Sequence, residues 1–181
     1  MTSETHQEQL DLLKDMFSLT GSLLAESERA AVILAAARLD VDLERVLKRL
    51  LAPFPGGNDP LFDGDRMLGT FSAKIAFAHR LGAIDQNFEH ALQLLRRIRN
   101  DFAHQLDQES LSSQRQKNRV SELVRWAEKS DVYQSGIKAF GSQEKSKEHI
   151  QFVVCAVCMS LLLYHGAKSF HQLKVHAPLA L

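Results

Sequence analysis

Apolar residues return every three or four positions along most of this 181-residue chain, the spacing that gathers them on one face of an α-helix. Leu10, Leu13, Phe17 and Leu24 predict a first helix over Glu8–Leu24. Ser27 is placed to cap a second, Glu28–Leu51, in which Leu39, Leu43, Val46 and Leu50 form a buried stripe. Arg38, Glu44, Arg45, Lys48 and Arg49 populate its wet side. The run from Ala30 to Ala37 is apolar all round, which predicts burial from several sides, at the centre of a bundle or in a subunit interface. Residues 52–67 hold three of the four prolines and three of the nine glycines, and read as an internal loop. A short helix follows over Thr70–Leu81, with Phe71, Ile75 and Ala78 inward and Gly82 as its stop.

Asp85 then caps a helix over Gln86–His104. Val120, Leu123, Val124 and Ala127 mark another over Ser113–Glu128. A looser segment, Asp131–Gly141, links it to a final long helix, Gln143–His165. Residues 172–181 form a tail that either docks on the body or stays mobile. No alternating strand pattern of useful length and no fixed-period repeat interrupts this series. The expectation is a single all-α domain over residues 1–181, a helical bundle of five to six helices.

The Gln86–His104 helix carries the one pattern that helix packing does not account for. On a helical wheel Phe88, Ala91, Leu92, Leu95, Ile98 and Phe102 share one side, and Arg99 falls inside that apolar arc. A guanidinium cannot shed its charge on burial, so it needs a partner, a wet cleft or an interface. Asn100 and His104, four residues apart, occupy a neighbouring face. If Arg99 is locked to a buried carboxylate and His104 merely ends the helix against its dipole, the group is structural. If both are open to a ligand, chemistry is available: a histidine exchanges protons near neutral pH, and an arginine steadies charge on a phosphate. Arg99, Asn100 and His104 are thus the candidate catalytic residues of a metal-independent RNA cleavage in which a 2′-hydroxyl attacks its own phosphate.

Composition narrows the field. Twenty-two basic and twenty-two acidic residues cancel, which argues against unaided binding of duplex DNA or docking on a membrane by bulk charge. Two cysteines are too few for a disulfide framework, and the polar N-terminus lacks a signal-peptide pattern, so a cytoplasmic location is expected. The apolar stretch Phe152–Tyr164 is shorter than a membrane span.

The other motifs have plain explanations. Cys155 and Cys158 spell CxxC inside an apolar helix, where they serve as small core residues. Asp59, Asp63 and Asp65 miss the calcium-loop spacing, and the eight histidines form no ligand pattern. No metal site and no cofactor is called for.

The segment Arg99-Asn100-Asp101-Phe102-Ala103-His104 matches the RNxxxH pattern and resembles the HEPN superfamily of all-α domains. Upstream, Asp63-Gly64-Asp65, Leu68-Gly69-Thr70-Phe71-Ser72-Ala73-Lys74-Ile75 and Leu81-Gly82-Ala83-Ile84 are similar to the mannitol operon repressor (MltR) family. The likeness runs over about Ala30–Gln105. It implies a HEPN-like fold and a bacterial regulator that acts as a homodimer, repressing gene expression through a protein partner or RNA rather than by direct DNA readout. The alternative it implies is a metal-independent endoribonuclease served by Arg99, Asn100 and His104, as in HEPN members with an intact motif. Leu106 stands where some HEPN toxins carry tyrosine. A non-catalytic dimeric interaction module is the remaining reading. Either the motif lines a cleft or meets its symmetry mate, or it only shapes an interface.

Overall fold

The computed structural model describes residues 3–104 and 110–174, with side chains from Lys14 onward. Leu106 and the end of the tail, residues 175–181, lie outside the described residues. Among those described there are seven α-helices and no strand: α1 (Ser3–Ala25), α2 (Glu28–Leu50), α3 (Phe71–Arg80), α4 (Gln86–His104), α5 (Gln114–Ala127), α6 (Asp131–Phe140) and α7 (Lys147–Ser169). A single 3-10 turn, Pro60–Phe62, interrupts the loop between α2 and α3. The fold class is all-α, as expected, with seven helices among the described residues rather than five to six.

Local chemistry places the helix ends. The Ser27 hydroxyl accepts from the Ala30 amide at 3.2 Å to start α2, and Thr70 and Ser113 begin α3 and α5 in the same way. Asp85 caps α4, its Oδ1 accepting from the Phe88 amide at 2.7 Å. Gly82 stops the α3 turn with φ +71°, a left-handed conformation open to glycine and costly for other residues.

The core forms one cluster, with side chains from every helix. α7 is its axis. It lies along α2 and is also covered by α1, α5 and α6, while α4 sits against α2, α3 and α5. By length and composition α7 could cross a membrane, but 67% of its apolar window is buried inside the protein. Cys155 and Cys158 are buried in this axis as core residues. Burial pushes both thiols up, Cys158 to about 12, so neither is a thiolate at neutral pH.

Three expectations need correction. The segment read as looser is a helix, α6, capped by Ser130. Gly136 lets it approach α7, since a Cβ there would come within 2.8 Å of a Val154 methyl carbon. The run Ala30–Ala37 is not covered on every side: Ala31, Val32, Ala35 and Ala36 are buried, but Leu34 is 48% exposed, as is Val41 two turns on at 47%. Phe17 faces outward rather than into the core and packs on Phe140, with ring centroids 5.5 Å apart. The start of the tail does dock: the Leu173 amide donates to the Leu50 carbonyl at 2.7 Å.

Two buried charges bind the helices together. Lys74 of α3 is 3% exposed. It donates to Glu44 at 2.7 Å and meets Asp40 at 3.0 Å as an ion pair without an aligned hydrogen bond. Burial alone would lower the Lys74 pKa, but contacts with Glu44 and Asp40 outweigh that and raise it. Asp42 of α2, also buried, accepts from Arg38 and Arg45 at 2.9 Å each and from the Ser160 hydroxyl of α7. In both places ionic hydrogen bonds offset the cost of desolvation.

Candidate functional site

Helix α4 carries the RNxxxH segment in its last turns. Phe88, Ala91, Leu92, Leu95, Ile98 and Phe102 are buried, so the apolar arc read on the wheel is the face against the core. Arg99 and Asn100 are half-buried beside that face, and His104 is exposed at the helix end. Arg99 donates to Asn100 Oδ1 at 3.0 Å. Among the described residues no carboxylate pairs with Arg99, and no hydrogen bond fixes His104.

Asp101, between these residues, turns the other way. Its carboxylate accepts from Gln116 at 2.8 Å and forms ion pairs with Arg115 and Arg119 of α5. Burial opposes ionisation of Asp101, but the hydrogen bonds from Gln116, Arg115 and Arg119 outweigh it and hold the carboxyl below its ordinary value. The one acid in the motif is therefore consumed in fastening α5 to α4. It is not left to neutralise Arg99.

The turn is held from behind by the start of α2. Arg29 donates to the Phe102 carbonyl, supplying one of the partners that the last carbonyls of a helix lack. Next to it, Glu28 accepts from the Ser110 hydroxyl at 3.0 Å, the Leu111 amide at 2.9 Å and the Ser146 hydroxyl at 2.9 Å. One carboxylate thus ties α2, the entry to α5 and the cap of α7. His149 lies at this end too, 2% exposed, with Nε2 unpartnered. Burial lowers its pKa, with Glu28 opposing and Lys145 assisting, so the buried ring is neutral at pH 7.

Arg29, Arg99 and His104 thus surround the negative end of the α4 dipole, a position that favours cations. The arrangement can receive an anion. Arg99 supplies a forked donor and Asn100 orients it, while His104 presents its ring to solvent. The described clefts are lined by other residues. One set surrounds Trp126 and Leu162, and another lies between α1 and α7 beside Arg38 and Ser160. The segment presents an open turn, with no cleft of its own among these.

Sequence reasoning singled out Arg99, Asn100 and His104, and the structure places all three at one helix end. It missed Glu28, Arg29, Asp101 and His149, which hold that end. The signal for Asp101 was its opposite phase on the wheel, about 200° from Arg99. For Glu28 and Arg29 there was none, because their partners lie more than seventy residues away. No protein-family model, curated protein or solved structure matches the chain.

Proposed function

We propose that this chain is a regulator of gene expression of the MltR type, with a HEPN-like fold, that works as a dimer by engaging RNA at the last turn of α4. One observation carries the reading: Arg99 is half-buried on a helix whose nearest acid, Asp101, is already bound to Arg115 and Arg119. A cation held without a protein counter-charge is poised for an external anion, and the RNA backbone is a repeating anion. Duplex DNA fits less well, since the whole chain carries no net positive charge and the segment is one turn rather than a basic recognition helix.

A second reading is favoured by His104, which is exposed and one turn beyond Asn100. In it, the RNA bound at Arg99 is cut without metal. His104 takes the proton of a 2′-hydroxyl, whose oxygen bonds to the adjacent phosphorus while the bond to the 5′-oxygen breaks and that oxygen receives the proton back; Arg99 steadies the charge that gathers on the phosphate.

Incubating the protein with labelled RNA in EDTA separates the two. Cleavage by the parent and none by His104→Ala, with 2′,3′-cyclic phosphate ends, establishes the enzyme. Binding by both without cleavage leaves the regulator. Absence of binding by either at low salt contradicts both.

A further inference from the structure

We propose that the trench around Trp126, at the opposite end of α4 from the RNxxxH segment, is a binding site for a small molecule with an aromatic body and a cationic end. Two clefts meet here, of about 290 Å³ and about 430 Å³, and share Trp126 and Leu162 in their walls. Volumes of this order accommodate a small ligand. The Trp126 ring stacks on Phe88, with centroids 5.1 Å apart and an interplanar angle of 12°. Phe170 forms part of the facing wall. Leu162 stands 52% exposed between the clefts, on a helix whose residues from His149 to Leu161 are almost all buried.

The space is kept open by Gly166, which lies in the wall within the last turn of α7. Its φ is not positive, and a Cβ there would make only ordinary contact with Phe170 at 3.4 Å. Neither backbone conformation nor crowding requires glycine, and glycine is disfavoured in a helix relative to alanine. What the missing side chain does is leave the cleft unfilled.

Charge selects the ligand. Asp85 is the single ionisable residue in the wall of the smaller cleft. It is exposed, and only its Oδ1 is engaged, by the Phe88 amide. The larger cleft adds His165 at its edge but no carboxylate and no lysine or arginine. Arg125 belongs to a separate polar cleft on Trp126. An apolar trench with one carboxylate at its mouth and aromatic rings in its walls suits an aromatic amine, through ion pairing and cation–π attraction.

Trp126 is the only tryptophan in the chain, so its fluorescence reports on the trench directly. The full chain is titrated with phenethylamine, 2-phenylethanol and 3-phenylpropanoate. Phenethylamine is expected to shift the emission saturably with a Kd on the order of 1 mM. The alcohol should bind roughly fivefold more weakly and the carboxylate not measurably, as the charge argument requires. Gly166→Leu should abolish the response while the circular dichroism spectrum stays unchanged. If that variant does not fold, Leu162→Arg at the half-exposed ridge takes its place. Asp85→Asn, which keeps the helix cap, should make amine and alcohol equivalent. Carboxylate binding as tight as the amine, a response surviving in the filled variant, or no saturable change with any probe overturns the proposal.

Discussion

Two cations in this protein carry the same mark in sequence and have opposite surroundings. Lys74 and Arg99 each intrude on the apolar stripe of a helix. Lys74 is answered by Glu44 and Asp40 of α2, at 2.7 and 3.0 Å. Arg99 is answered by a neutral amide, that of Asn100. The difference separates a charge paired within the fold from one that no carboxylate of the described residues answers. A half-buried guanidinium without a carboxylate is costly to keep, whereas a cation between two acids locks α3 onto α2.

The largest break in that comparison should come from Lys74. Lys74→Ala leaves Asp40 partly buried without its ion pair and Glu44 with Lys48 alone, which costs about 3 kcal/mol. The unfolding midpoint should drop by roughly 10 °C, measured by calorimetry.

Asp101→Asn should come next, at about 2 kcal/mol, because Arg115, Arg119 and Gln116 lose their shared acceptor. The pH dependence follows from the same contacts. The Asp101 pKa is depressed in the fold, so its contribution is present above the unfolded value. It is lost as pH falls below about 4. Urea midpoints measured from pH 6 downwards should fall more steeply for the parent than for Asp101→Asn.

The smallest stability effect belongs to His149. Its folded pKa lies below the ordinary 6.5, so the unfolded chain takes up the proton first. Stability is therefore complete above about pH 6.5 and declines as pH falls through the folded value. Glu28 and Lys145 are the charges that face it. Replacing His149 by leucine should flatten the midpoint between pH 7 and pH 5, and a curve unchanged by that variant would detach His149 from this end of the molecule.

What the sequence disclosed follows the same division. Helix α4 was legible to the residue, because a strong apolar stripe and the Asp85 cap agree. α6 was not, since Gly136 and Ser135 weaken a ten-residue stretch that gains its order from α7. At the site, Arg99, Asn100 and His104 were visible through their spacing on one helix. Their supports were not, because Glu28 meets Ser110 and Ser146, and Arg29 meets Phe102, only once the helices are packed. Nor could spacing tell Lys74 from Arg99. The carboxylates that decide the matter sit on a different helix.

The central claim is that Arg99 is kept for an external anion. It is tested most directly by comparing the parent with Arg99→Gln in two measurements on the same preparations: affinity for a short single-stranded RNA at low salt, and stability in urea. The account predicts that affinity falls about tenfold, the equivalent of one charge-assisted contact, while stability changes by less than about 0.5 kcal/mol. Stability falling by more than about 2 kcal/mol with RNA affinity unchanged would contradict it, and would make Arg99 a second Lys74.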